Sequence, residues 1–194
     1  VKISYKTTTS GTETTKHAAN ENNISGSSEY FAGAIVGYAA NGTIIECCEV
    51  DNGNETKTTT KSKLTIGGLV GCLDNSTIKN CINYRDILIE EDLSNGDTIT
   101  LGGCVGTVSN SSTVLNVANF GKIETKRTNS STNTTYVGGI VGDLSGNGAQ
   151  IINCISAGNT LDRFVASETV TTDRGTVYSG AVAGFINAPS PESG

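Results

Sequence analysis

Six cysteines, a single histidine and a few scattered carboxylates are the groups in this 194-residue sequence from which nucleophilic or metal chemistry would ordinarily be built. Cys47, Cys48, Cys72, Cys81, Cys104 and Cys154 are even in number but form no C-x-x-C pair, and His17 stands alone, so a zinc site is poorly supported. A Ser/His or Cys/His nucleophile would have to recruit His17, which lies in a Thr-rich segment. Cleavage of polysaccharide would need clustered carboxylates on one face, with a basic partner or a cation. Asp74 and Asp143 instead read as turn residues, and the run Glu90, Glu91, Asp92 and Asp97 reads as an acidic solvated loop in preference to one that collects a cation. No catalytic residue, metal or cofactor is expected, and an enzyme ranks third among the functional readings.

The residues with a more regular spacing are asparagines. Asn23, Asn41, Asn54, Asn75, Asn110, Asn129 and Asn133 each begin an N-x-[ST] triplet without proline. Asn41, Asn75 and Asn110 lie at one offset within three successive repeats, which predicts a stripe of N-glycans along one edge or, equally, a turn that favours Asn. Thr-rich stretches at 7–15, 56–60 and 128–135 would carry O-glycans or solvate loops.

Those offsets exist because the chain is repetitive. The core G-[GA]-x-[VA]-G recurs five times, beginning at Gly33, Gly67, Gly102, Gly138 and Gly180, with spacings of 34, 35, 36 and 42 residues. In four copies a second segment follows after a turn: Thr43 to Val50, Ser76 to Asn83, Ser112 to Asn119 and Ala149 to Ser156. The composition includes 24 Gly, 19 Asn, 19 Ser and 27 Thr, which disfavours helix, and the short Val/Ile segments between turn residues read as strands. The fold expected is all-β, a parallel β-helix of about five coils with a repeat of roughly 35 residues, each coil having two clear strands and a more variable third segment. Residues 1–29 would be a capping or donor segment, 30–188 the repeats and 189–194 a tail.

Aligned columns then assign faces. Ile35, Leu69, Cys104, Ile140 and Val182 point inward, while alternation puts Val36, Val70, Val105, Val141 and Ala183 on an outer apolar strip. Such a strip would be covered by the third segments, by residues 1–29 or by a neighbouring copy. Cys48, Cys81, Val117 and Cys154 share a packing column, with the disulfide connectivity undecided. Asn80, Asn116 and Asn153 share another, with Cys47 in the first coil, and predict an Asn ladder at a corner.

The segments YVGGIVGDL followed by IINCISAG, and TIGGLVGCLDNSTIKNCINYRDI, resemble the GLUG repeat of microbial and protist surface proteins, over about Tyr30 to Ile186. The resemblance implies β-helical stalks or adhesive segments outside the cell and no catalytic residues. Cys47-Cys48 and the NYRD at Asn83 to Asp86 depart from the family pattern.

Net charge is −6, without basic stretches interleaved with aromatics, so nucleic acid is not an expected partner. No apolar run approaches the roughly 20 residues of a membrane span. The sequence lacks an initial Met, as in a secreted product or a segment of something larger. A β-helix exposes strand edges at both ends. Val1, Ile3 and Tyr5 alternate as an assembly strand that would either cover its own domain or be donated to the next subunit. The reading is an extracellular structural glycoprotein self-associating head-to-tail into filaments. The alternative is an adhesin or stalk module of a larger surface protein, binding glycan or a host protein.

Overall fold

The computed structural model describes residues 4–9, 12–17, 30–51, 56–60, 63–91, 98–127, 134–158, 160–164 and 176–187. A hairpin of β1 (Ser4–Thr9) and β2 (Thr12–His17) precedes the repeats. The first coil carries β3 (Tyr30–Gly33), β4 (Val36–Ala39), β5 (Ile44–Glu46), β6 (Glu49–Val50) and β7 (Thr56–Thr60). The second repeats them as β8 (Leu64–Gly67), β9 (Val70–Asp74), β10 (Thr77–Lys79), β11 (Ile82–Asn83) and β12 (Ile87–Glu91). The third has β13 (Thr98–Gly102), β14 (Val105–Ser109), β15 (Thr113–Leu115), β16 (Ala118–Asn119) and β17 (Ile123–Arg127). The fourth has β18 (Thr134–Gly138), β19 (Val141–Leu144), β20 (Gln150–Ile152), β21 (Ile155–Ser156) and β22 (Thr160–Phe164). A fifth coil adds β23 (Thr176–Gly180) and β24 (Ala183–Ile186).

Equivalent strands of successive coils pair in parallel, building five stacked sheets of a parallel β-helix. The register is in phase with the repeat: Leu64 pairs with Tyr30 and Ile99, and Ile78 with Ile45 and Val114. This is the expected fold class, but with five short strands in each full coil instead of two and a variable third. The G-G-x-V-G core is the reason for the difference. β8 stops at Gly67 and β9 starts at Val70, so the core is a bend between two sheets and not the middle of one strand.

That bend overturns the expected outer strip. Val70, Val105 and Val141 are wholly buried, in one cluster with Leu69, Cys104 and Ile140, and Val36 packs against it half-buried. Alternation assigns opposite faces only along an uninterrupted strand. Here the N–H groups of Ile35 and Val36 both donate to the carbonyl of Leu69, at 2.9 and 3.3 Å, so the chain turns between the two positions and both side chains enter the core. Ala183, in the last coil, is half-buried.

The core has two compartments. Residues of the second to fourth strands of the coils and of the turns between them, such as Leu73, Ile78, Cys81, Val108 and Val114, fill one. The first and fifth strands enclose the other, with Leu64, Ile66, Ile87, Ile89, Ile99, Leu101 and Ile123. Between them the first and second strands approach so closely that glycine is obligatory. A Cβ on Gly67 would lie 1.9 Å from the carbonyl oxygen of Val70, and one on Gly102 would lie 1.8 Å from that of Val105.

Candidate functional site

The turn after the second strand is set by asparagines in the left-handed region: Asn41, Asn75 and Asn110 have φ of 59°, 45° and 50°. Asn tolerates that conformation better than other residues with a Cβ. The parallel register stacks the three, and all are exposed, so the structure brings together these three N-x-[ST] triplets on one edge. Asn23, Asn54, Asn129 and Asn133 lie outside the described residues. So do Val1 and Ile3 of the proposed assembly strand, while Tyr5 sits in β1 opposite Lys16 of β2. The first strand is therefore paired in its own antiparallel hairpin.

Asp74 belongs to the stacked turn. Its carboxylate accepts hydrogen bonds from the Tyr38 hydroxyl at 2.7 Å and from the Asn110 amide. Those donors hold it below the usual carboxylate range, and the same hydrogen bond, with burial, pushes Tyr38 up to about 12. Asp143 is in a different column, flanked by Thr107 and Phe185. Burial raises its carboxyl above the usual range; Oδ2 accepts from Ser145 Oγ at 3.2 Å, while Oδ1 is shielded with no hydrogen-bond partner among the described residues. The two carboxylates do not converge on one site. Glu90 and Glu91 end β12, Asp92 and Asp97 fall outside the described residues, and His17 closes β2 opposite Ser4.

The expected corner ladder is present. Asn80, Asn116 and Asn153 have φ of 53°, 52° and 50°, Cys47 has 55°, and the Asn116 amide donates to Asn80 Oδ1 at 3.1 Å. A second, buried ladder was not anticipated. Asn83 Nδ2 donates to Asn119 Oδ1 at 2.9 Å, and each side chain also bonds the backbone two residues on, at Arg85 and Gly121. Gly68 and Gly103 make room for it: a Cβ at Gly103 would lie 2.2 Å from Asn119 Nδ2. The sequence carried a signal, since Asn83 and Asn119 accompany Gly68 and Gly103 whereas Val50 accompanies Ala34.

None of the six cysteines is disulfide-bonded, and among the described residues no three of His, Cys, Asp and Glu are grouped to hold a metal ion. No helix among them is long and apolar enough to cross a membrane. No protein-family model, curated protein or solved structure matches the chain.

The remaining concentration of unusual surface is at the two ends of the stack. In the first coil Tyr38 is 49 % and Ile44 62 % exposed; in the last two coils Ile155 is 61 % and Ile186 62 % exposed, beside exposed Ile152, Tyr178 and Val182. Among the described residues of the middle coils, Phe120 is the one large apolar residue exposed to a similar degree. Its ring stacks on Tyr84 at 5.2 Å on the flank.

Proposed function

We propose that the chain is a structural subunit of an extracellular fibre, built by head-to-tail stacking of parallel β-helices. The observation that carries this reading is the segregation of exposed large apolar side chains to the two ends, where, among the described residues, β3–β7 at one end and β20–β24 at the other pair on one side only. Parallel strands give the two ends complementary polarity, so a second copy placed on either end extends the ladders. Such a contact is heterologous and repeats without closing. The likeness to GLUG repeats points to the same surroundings. Glycans on the exposed stack of Asn41, Asn75 and Asn110 would keep one edge free of lateral contacts. Strand donation by the N-terminal segment would require β1 to leave β2.

Electron microscopy of the concentrated chain tests the proposal. Filaments are expected, with an axial repeat of one subunit, to which five coils contribute roughly 24 Å. A chain with Ile155→Asp and Ile186→Asp should remain monomeric. Monodisperse particles at every concentration would overturn the fibre reading, and filaments unaffected by deletion of residues 1–12 would end the strand-donation variant.

The second reading, an adhesin or stalk module binding glycan or a host protein, is favoured by the stacked Tyr84–Phe120 pair on the flank, since exposed aromatic faces suit ligand stacking. Glycan-array binding by the monomer that Phe120→Ala abolishes, with no assembly, would move this reading to first place.

A further inference from the structure

Cysteine usage is not absorbed by either reading. β6 and β11 pair in register, Ile82 with Glu49, which places Cys81 directly beneath Cys48 one coil away. The Cys48 N–H donates to Cys81 Sγ at 3.4 Å; the Cys48 thiol donates to the Glu46 carbonyl at 3.2 Å, and the Cys81 thiol faces the carbonyls of Lys79 at 3.1 Å and of Ile45 at 4.0 Å. Neighbouring strands are about 4.8 Å apart, within the Cα range of a disulfide. Stacked at that spacing, the Cβ atoms must close to about 4.5 Å or less for the bond to form. The first coil can supply that movement, because among the described residues β6 is bonded to a neighbouring strand on one side alone.

The other thiols are less well placed. Val117 separates Cys81 from Cys154, so these two lie two coils apart, about 9.6 Å, beyond the reach of a disulfide. Cys104 enters the core from the bend between β13 and β14 and donates to the Ala118 carbonyl at 3.4 Å. Cys47 is exposed at the left-handed corner, directed away from the core that Cys48 packs against.

We infer that Cys48 and Cys81 form an oxidisable pair whose disulfide staples the end coil to the body of the β-helix. Glutathione disulfide is a sufficient oxidant. Half-buried Cys48, as thiolate, attacks one of its sulfurs, breaking that S–S bond and releasing one glutathione, which takes up the Cys48 proton. Buried Cys81 then loses its proton and attacks the Cys48 sulfur, releasing the second glutathione, which takes up that proton. Two protein thiols become one disulfide while one glutathione disulfide becomes two thiols. Burial pushes the Cys81 thiol above its ordinary range, which assigns the first attack to Cys48.

The test is incubation of the full native chain in a glutathione buffer poised for oxidation, then alkylation and non-reducing peptide mapping by mass spectrometry. The peptide containing Cys81 should be joined to that containing Cys47 and Cys48, fragmentation should place the bond on Cys48, and Cys47→Ser should keep it. The oxidised chain should melt several degrees above the reduced chain, reversibly with dithiothreitol. Six alkylated thiols in the wild type, a bond that survives Cys48→Ser, a Cys47–Cys48 bond or a bond from Cys81 to Cys104 would each overturn the assignment. A Cys48–Cys81 bond without a change in melting would overturn the stapling. Because the mapping is done on the wild type, the result does not depend on whether Cys81→Ser folds.

Discussion

Cys47 occupies a left-handed position that its equivalents fill with Asn80, Asn116 and Asn153. A residue with a Cβ and no local hydrogen-bonding side chain is disfavoured there, whereas Asn can also extend the ladder, in which Asn116 donates to Asn80, by accepting from Asn80 Nδ2. Cys47→Asn is expected to stabilise the reduced chain by about 1 kcal/mol, measured by urea unfolding. Asp143 gives a different signature. Its carboxyl binds a proton more tightly when folded than its ordinary value of 3.8 allows when unfolded, so at neutral pH the ionised form costs stability. Acidification through the folded value toward 3.8 removes that cost, and below 3.8 the contribution is constant. Asp143→Asn should therefore stabilise the chain more at pH 7 than at pH 4, as seen in paired unfolding curves; equal gains at both values would refute the assignment. Asp74 has the opposite sign, its stabilising contribution being lost as pH falls through its lowered value.

Between strands, the two kinds of glycine separate cleanly. Gly103 sits where a Cβ would meet Asn119 Nδ2 and the Gly139 carbonyl oxygen, both at 2.2 Å, in the interior beside a satisfied polar ladder. Gly103→Ala is expected to cost about 3 kcal/mol or more, because neither the backbone nor the bonded amide can yield. Gly42 has φ +79° and open space around its Cβ position, so Gly42→Ala should cost only backbone strain, about 1 kcal/mol. Thermal unfolding of the two variants side by side distinguishes crowding from conformation. A similar loss in both would mean that the sheets can separate at Gly103.

For the entire stack, burial falls from the middle coils to the ends: Leu64, Leu101 and Val137 are wholly buried, while Val182 is 44 % exposed. Repeat stacks open from their ends, where each coil has one neighbour. Hydrogen exchange should therefore be slowest in β8–β11 and β13–β16 and fastest in β5–β6 and β23–β24. In assembled material, protection should rise selectively in the end coils. Uniform protection before assembly would show that the ends are already covered, which would weaken the fibre reading.

The coil number, the parallel stacking and the corner asparagines were legible in the sequence, because each rests on local chemistry repeated at a fixed period. Asn at 41, 75 and 110 announces the same turn three times. What the period could not reveal is how far apart two faces of one coil lie. The G-G-x-V-G core has the composition of a strand, yet close approach of neighbouring sheets makes it a bend, and that bend carries Val70, Val105 and Val141 into the core instead of onto an outer strip. The Asn83–Asn119 ladder was hidden for the same reason, since its partner glycines are adjacent only once the coil has closed. Likewise the columns put Cys48 above Cys81, but only the packed first coil shows an amide of one residue bonded to the sulfur of the other. Periodicity records what each residue prefers along the chain; close packing between sheets decides which of those preferences are met.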